Sequence, residues 1–211
     1  MSLARALPRV GILISGSGSN MVALLEAMRD GRVAGTPAIV VSNNPDAAGL
    51  AKAHALGVAT AAIDHRPFKG DRAAFDAEVD RALREAGTDV VACAGFMRIM
   101  TDDMIGRWTG RMVNIHPSVL PLFKGLHTHQ RALDEGMAVH GCTVHEVTPE
   151  LDTGTILGQA VVPVRPGDTA GTLAARVLRQ EHRLYPRCLD AFLRDPEAAR
   201  REKIAILADE E

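Results

Sequence analysis

The chain has 211 residues, 46% of them hydrophobic, and a formal net charge of −2 from 24 basic and 26 acidic side chains. The near-neutral charge and the 3% aromatic content argue against a nucleic-acid scaffold and favour small-molecule partners. Three scattered cysteines without CxxC spacing are typical of reduced thiols in a cytoplasmic protein. We find no signal-peptide pattern and no stretch apolar enough to span a membrane.

Apolar runs alternate with amphipathic segments along the chain. Strands are predicted at residues 10–15, 38–42, 58–63, 89–94, 112–116, 142–147 and 159–164. Helices are predicted at residues 21–31, 47–56, 71–86 and 169–185, the last with Asp168 or Thr169 as its N-cap. This alternation predicts an α/β fold with three αβα layers and a mostly parallel, twisted, Rossmann-like sheet covered by helices.

The predicted strand at residues 112–116 carries two polar residues and ends at once in a proline-rich turn. Asn114 and His116 stand two residues apart, so their side chains point to the same face. They lie where the strand meets a loop, which is where α/β proteins usually place ligand sites. An amide donor beside a group that titrates near neutral pH is a candidate catalytic pair.

A turn-rich loop at residues 148–154 carries Asp152. A carboxylate near His116 would favour the protonated imidazolium. From the local sequence alone, an ordinary turn residue is the favoured interpretation of Asp152.

A glycine-rich turn, Ser-Gly-Ser-Gly-Ser-Asn at residues 15–20, lies between the first predicted strand and the first helix. It lacks the third glycine of a dinucleotide-binding turn, where Met21 stands, and the Lys-Ser/Thr pair of a Walker loop. As a ligand site it would suit a phosphate monoester at the helix start. The alternative is a tight turn in which Ser19 or Asn20 caps the helix, and the turn alone leaves both open.

Other ionisable residues allow weaker inferences. Glu181 falls within the apolar stripe of the last predicted helix, so it needs either an internal arginine, which the geometry slightly favours, or a cationic ligand group. His127, His129, His140 and His145 cluster in the sequence, but no zinc-type spacing such as HExxH or CxxC is present. No metal site is expected.

Taken in order, six segments resemble the glycinamide ribonucleotide formyltransferases, a folate-dependent family of purine biosynthesis. They are ISGSGSN, AGFMRIM, NIHPSVLP, GLHTH, HGCTVHEVTPELD and QEHRLYP, within a resemblance that runs from Val10 to about Phe192. NIHPS with a downstream LD is shared by several folate formyltransferases, whereas the glycine-rich start and short length favour this one. The resemblance implies formyl transfer from 10-formyltetrahydrofolate, a co-substrate, to the amine of glycinamide ribonucleotide, without a metal.

The resemblance also implies residue roles. The catalytic trio would be Asn114, His116 and Asp152, in which the first two stabilise an oxyanion and the aspartate assists proton transfer. The residues that would bind glycinamide ribonucleotide are Gly18, Ser19, Asn20 and Glu181. The residues that would border the folate site are Arg72, Met97, Arg98, Ile99, Met100 and Asn114.

We accordingly expect a single domain, with a phosphate-binding half at about residues 1–100, a folate and catalytic half at about 101–195, and a charged tail at 196–211. Loops 64–71 and 122–129 are expected to be mobile borders of the folate cleft. Thr155 stands where the family commonly has proline, which leaves the conformation of the loop after Asp152 open. The expected state is a cytoplasmic monomer or homodimer.

Four other interpretations compete. A methionyl-tRNA formyltransferase would carry a further C-terminal domain, and a formyltetrahydrofolate deformylase an N-terminal regulatory domain; we expect neither here. A metallohydrolase would use the clustered histidines. A binding module without activity would keep only the phosphate site.

Overall fold

The computed structural model describes residues 6–207, which contain eight strands and seven α-helices. The strands are β1 (Arg9–Ile14), β2 (Thr36–Ser42), β3 (Thr60–Ala62), β4 (Val90–Cys93), β5 (Met112–His116), β6 (Val139–Glu146), β7 (Ile156–Pro163) and β8 (Ile204–Leu207). The helices are α1 (Ser19–Arg29), α2 (Ala48–Ala55), α3 (Arg72–Glu85), α4 (Asp102–Arg107), α5 (Thr128–Asp134), α6 (Ala170–Arg194) and α7 (Pro196–Arg201), with a 3₁₀ turn at Arg66–Phe68.

The chain forms two compact units that meet in sequence between Met112 and Val113. In the first unit the strand order is β3-β2-β1-β4, and these pairings are all parallel. Helices α1, α2 and α3 pack on β2. Parallel strands covered by helices are buried on both faces, which explains why β1 is a continuous apolar run that is buried at every position after Arg9.

The second unit has the strand order β5-β6-β7-β8, with two antiparallel pairings followed by a parallel one. Helix α6 packs on β6, β7 and β8 through a buried apolar stripe. Thr169 caps the start of α6: its hydroxyl accepts from Thr172 N, and its own N–H donates to Thr172 Oγ1 at 2.9 Å. Of the two predicted N-cap residues, Asp168 and Thr169, the structure therefore has Thr169.

Helix α6 is longer than predicted, because it continues through Pro186 to Arg194. Proline removes one helical hydrogen bond and crowds the preceding turn, so the prediction ended the helix at residue 185. Burial outweighs this cost, since Cys188, Leu189 and Phe192 are each at most 1% exposed and extend the apolar stripe beyond the proline.

The expected charged tail contains two regular elements, which the sequence analysis missed. Asp195 caps α7 by accepting from Ala198 N at 3.0 Å, and β8 pairs in parallel with β7. Six-residue helices give too little periodicity to recognise, and the high charge of this segment hides the short apolar run of β8. Residues 208–211 lie outside the described part of the chain.

Two predictions from the composition concern the cysteines and membrane-spanning segments. All three cysteines, Cys93, Cys142 and Cys188, are free and buried, and burial raises the pKa of Cys93 and Cys188 to about 12. Such thiols remain protonated and unreactive at neutral pH. Within residues 6–207, none of the helices has the length and apolar character needed to cross a membrane.

An ion pair fixes α7 to the end of β6. The Arg200 guanidinium donates to both carboxylate oxygens of Glu146, at 2.9 and 2.8 Å, and the Glu146 side chain is only 10% exposed. Arg200→Met should lower the free energy of unfolding by about 2 kcal/mol, because it leaves a nearly buried carboxylate unpaired. Urea denaturation measures this loss. Arg201→Met removes the same charge from an exposed neighbour, and an equal loss in both variants would contradict the assignment.

Candidate active site

Four polar side chains of the second unit come together at β5, β6 and the 148–154 loop. Antiparallel pairing sets Asn114 of β5 opposite His145 of β6, and the Asn114 Nδ2 to His145 Nε2 distance is 3.2 Å. The Asp152 carboxylate lies between the two histidines, 3.4 Å from His116 Nδ1 and 3.7 Å from His145 Nε2. These four residues are called the amide–histidine cluster below.

His116 is 6% exposed and has a defined partner for one ring nitrogen. Its Nε2 lies 2.9 Å from the carbonyl oxygen of Phe123. Because a carbonyl only accepts, Nε2 carries a proton. A proton on Nδ1 as well would face the Asp152 carboxylate, at a separation longer than the 2.7–2.9 Å typical of a charge-assisted hydrogen bond. That proton is therefore attracted by Asp152 but remains available to a ligand.

His145 has the opposite electrostatic character. Burial lowers its pKa, so the imidazole is neutral at pH 7. Its Nδ1 donates to the Glu146 carbonyl at 2.8 Å, which leaves Nε2 as an acceptor for the Asn114 amide. One N–H of Asn114 is thereby fixed, and the amide orientation sets the direction of the second N–H.

The backbone at Asp152 is held in an uncommon conformation. Its φ is 51°, in the left-handed region that asparagine and aspartate tolerate best. The carboxylate is 7% exposed, and its Oδ2 accepts from Gly125 N at 2.8 Å. Gly154 allows the loop to lie against β6, since a Cβ there would be 1.8 Å from the Glu146 carbonyl oxygen. Thr155 joins the same contact, because its carbonyl accepts from Glu146 N.

The structure thus brings Asn114, His116 and Asp152 together, and it adds a residue to which the sequence analysis gave no role. His145 lies on the same face of β6 as Thr143, and it directly opposes Asn114. The signal for it was the apolar–polar alternation of residues 142–147. Using that signal would have required the strand register, which a single sequence does not supply.

A second histidine pair lies in the same unit, with one ring on α5 and the other on β6. The rings of His129 and His140 meet edge to face at 5.1 Å, and His129 Nδ1 and His140 Nε2 have no hydrogen-bond partner among the described residues. In that part of the chain, no group of three histidine, cysteine or acidic side chains is arranged to hold a metal ion. His127 is the exposed N-cap residue of α5, with φ 58°.

His140 should make stability depend on pH. It is 1% exposed, and burial, followed by the nearby His129, lowers its pKa to about 4. The unfolded state, with a pKa near 6.5, binds a proton first, so this contribution is complete above pH 6.5 and is lost as pH falls to about 4. We expect His140→Gln to remove up to about 3 kcal/mol of the acid-induced loss.

Urea denaturation at pH 7.5 and 4.5 measures that loss. The exposed His54 provides the matched control, because His54→Gln should keep the wild-type difference between the two pH values. A His140→Gln protein with the wild-type pH dependence would refute the assignment.

The glycine-rich turn lies in the first unit and begins α1 without a side-chain cap. Gly18 occupies the N-cap position with φ 69°, and its carbonyl accepts from Val22 N. The alternative interpretation of the turn required Ser19 or Asn20 to cap the helix. Both residues instead lie within α1, and neither caps it. A cavity of about 290 Å³ is lined by residues 15–20 together with Ala94, Gly95 and Met97. Uncapped helix N–H groups beside a cavity suit an anion.

Of the predicted folate-border residues of the first unit, Arg72, Met97 and Ile99 are exposed, whereas Arg98 and Met100 are half-buried. Met97 and Ile99 are 64% and 66% exposed. The Met97 N–H donates to Ser15 Oγ at 2.7 Å, and that hydroxyl donates in turn to Asn43 Oδ1. Arg72 is exposed at the start of α3.

Glu181 faces the interior of the second unit, as its position in the apolar stripe predicts. It is 7% exposed. The pKa of Cys142 on β6 is raised by burial of the thiol and, next, by the negative charge of Glu181. The inward direction is therefore confirmed, while contact with a ligand stays a prediction.

Comparison with known proteins identifies the family. The family described as formyl transferase matches residues 8–189. The phosphoribosylglycinamide formyltransferase of Escherichia coli is 44% identical over 181 residues, which are 86% of this chain and 85% of that relative. The chain belongs to the formyl transferase family. It is therefore a transferase.

Further relatives agree with the assignment to the formyl transferases. The trifunctional purine biosynthetic protein adenosine-3 of Bos taurus is 47% identical over 181 residues, although this chain spans only 18% of its length. The structure of glycinamide ribonucleotide transformylase 1 from Symbiobacterium toebii is 42% identical, with a TM-score of 0.89 over 92% of this chain and 91% of that one. A phosphoribosylglycinamide formyltransferase from Brucella melitensis is 50% identical, with a TM-score of 0.84 over 89% and 96%. The predicted α/β fold and the family resemblance are confirmed.

Proposed function

We propose that this formyl transferase moves the formyl group of 10-formyltetrahydrofolate to the amine of glycinamide ribonucleotide, a step of purine biosynthesis. The observation that carries the proposal is the amide–histidine cluster, in which an amide, two imidazoles and a buried carboxylate are joined by successive contacts of 3.2, 3.7 and 3.4 Å. The E. coli relative, which this chain spans to 85% of its length, bears the name of this activity.

The apolar and basic side chains of the first unit named above suit a folate. Exposed apolar side chains at Met97 and Ile99 can cover a flat ring system, and Arg72 and Arg98 can pair with carboxylates. Ser15 fixes the Met97 backbone that would present these groups. Bound 10-formyltetrahydrofolate would supply an activated formyl group whose oxygen gains negative charge when the substrate amine attacks.

Asn114 and His116 have the properties needed to stabilise that charge. His145 takes one N–H of the Asn114 amide, so the second N–H is aimed and available. A proton on His116 Nδ1 would be held only weakly by Asp152, whose Oδ2 lies 3.4 Å away. Donors fixed before reaction and shielded from water are each worth about 3 kcal/mol toward a developing oxyanion.

Asp152 has two roles in this proposal. Its Oδ2 lies 3.4 Å from His116 Nδ1 and helps to orient the ring. Gly125 holds Oδ2, whereas Oδ1 lies 3.7 Å from His145 Nε2, beyond hydrogen-bonding distance, and is free to take up a proton from the attacking amine. Water would complete the transfer to the leaving nitrogen.

Substrate recognition is assigned to two segments. Gly18, Ser19 and Asn20 would hold the phosphate of glycinamide ribonucleotide through the start of α1. The inward-facing Glu181 would contact the same substrate. The cytoplasmic location and the monomer-or-homodimer state belong to the same proposal.

The proposal is tested by mixing the purified protein with both substrates and following folate absorbance. We expect release of the folate product only when glycinamide ribonucleotide is present. Release without that acceptor would instead indicate a deformylase, and release with methionyl-tRNA alone would indicate the tRNA enzyme. Dialysis against a chelator should leave the rate unchanged, and a loss of rate that zinc restores would support the metallohydrolase.

A further inference from the structure

Helix α2 holds two consecutive carbonyls of the glycine-rich turn. Gly49 N donates to Gly16 O at 3.0 Å, and Lys52 Nζ donates to Ser17 O at 2.9 Å. Gly49 makes this approach possible, since a Cβ there would lie 3.1 Å from Gly16 O. One turn of α2 thus sets the backbone orientation of the turn.

The two contacts also determine where the N–H groups of the turn point. In a trans peptide the C=O and the following N–H point in opposite directions. Fixing Ser17 O on Lys52 therefore directs the Gly18 N–H away from α2, and fixing Gly16 O does the same for the Ser17 N–H. Ser17 and Gly18 both line the 290 Å³ cavity.

The positive charge of Lys52 suggests a second role besides holding the backbone of the turn. The first turns of α1 and α2 contain no acidic residue, and in residues 6–207 Lys52 has no ion-pair partner. Its ammonium group is therefore hydrogen-bonded directly to the turn, and no carboxylate of the described residues neutralises its charge. Lys52 belongs to the last turn of α2, but its ammonium group lies against Ser17, just before the start of α1. The dipole of α1 disfavours a cation there, so this position suits an anionic ligand.

We propose that Lys52 is a positioning residue for the substrate phosphate, which orients the Gly18 N–H and adds positive charge beside the dianionic phosphate monoester. This inference rests on the proposed function of the glycine-rich turn. It adds a residue outside the turn itself and explains why the phosphate would bind there without a lysine in the turn.

The test compares Lys52→Met with the wild type in formyl transfer. We expect the KM for glycinamide ribonucleotide to rise roughly tenfold, the usual weight of one charged hydrogen-bonding group, while kcat is unchanged. Lys52→Arg should restore most of the affinity. Lys203→Met, which removes an equal charge from an exposed site in the second unit, should leave KM unchanged.

A second readout separates a phosphate effect from a structural one. Inorganic phosphate should inhibit the wild type competitively against glycinamide ribonucleotide, and Lys52→Met should weaken that inhibition. The KM for glycinamide riboside, which lacks the phosphate, should not change between the two proteins.

The outcomes also distinguish this inference from the proposed function. A wild type that does not formylate glycinamide ribonucleotide would overturn both. An active wild type with an unchanged KM in Lys52→Met would overturn the role of Lys52 alone. Equal KM increases for the phosphorylated and unphosphorylated acceptors would overturn it as well, by showing a purely structural effect.

Discussion

Replacing His116 with alanine should lower kcat by about three orders of magnitude while the protein remains folded. The variant removes a donor to the developing oxyanion, and one such donor is typically worth about 10²–10³ in kcat. It also removes the side chain that lies against the Asp152 carboxylate, so the loss should lie at or above the upper end of that range. Steady-state formyl transfer at saturating concentrations of both substrates measures the effect.

His54→Ala provides the control for this variant, since it removes an exposed histidine of the first unit. Its kcat should equal that of the wild type. Circular dichroism of both variants should match the wild type, because the loss of the His116 ring removes only its hydrogen bond to the Phe123 carbonyl and its contact with Asp152. A His116→Ala enzyme with near-wild-type kcat would remove His116 from the chemistry.

Replacing Asp152 with asparagine should lower kcat by about 10²–10⁴, the range of general acid–base groups. Asparagine tolerates the positive φ of 51° at this position, and its carbonyl oxygen can still accept from Gly125 N. The geometry of the loop is therefore kept while the negative charge is lost. His116 Nδ1 then has no carboxylate beside it.

The same loop offers a matched control for Asp152. Glu150 is exposed, so Glu150→Gln removes one negative charge from the loop without changing the cluster. We expect its kcat and melting temperature to be those of the wild type. If Asp152→Asn lost no more activity than Glu150→Gln, the carboxylate would have no part in proton transfer.

The central strand of the site could be predicted from sequence because its pattern is local. β5 spans Met112–His116, as predicted, and the i, i+2 spacing of Asn114 and His116 brought both to the amide–histidine cluster. The β-branched and aliphatic composition of the run and its proline-rich end determine this element without reference to the rest of the chain.

The remaining part of the cluster depends on contacts that are distant in sequence. His145 opposes Asn114 only because β5 and β6 pair antiparallel in one register, and Asp152 reaches His116 only because its loop folds back onto β6. Local sequence favoured an ordinary turn residue at Asp152. The family resemblance, which carries this long-range information indirectly, was what assigned its role.

Short elements were missed for a different reason. The N-cap of α4 is Thr101, whose hydroxyl donates to the buried Asp76 at 2.8 Å. The first residue of α5 is Thr128, whose hydroxyl donates to the Pro117 carbonyl. These helices have six and seven residues. Too few turns exist for an apolar stripe to be recognised, and tertiary hydrogen bonds supply the stability that isolated helices of this length lack.

Formyl transfer to glycinamide ribonucleotide, followed with a ¹³C-labelled formyl group, tests the central claim most directly. We expect the wild type to form one labelled product, the formyl amide of glycinamide ribonucleotide, and His116→Ala and Asp152→Asn to form it at strongly reduced rates. Label found only in free formate, or label transferred to the acceptor at equal rates by all three proteins, would contradict it.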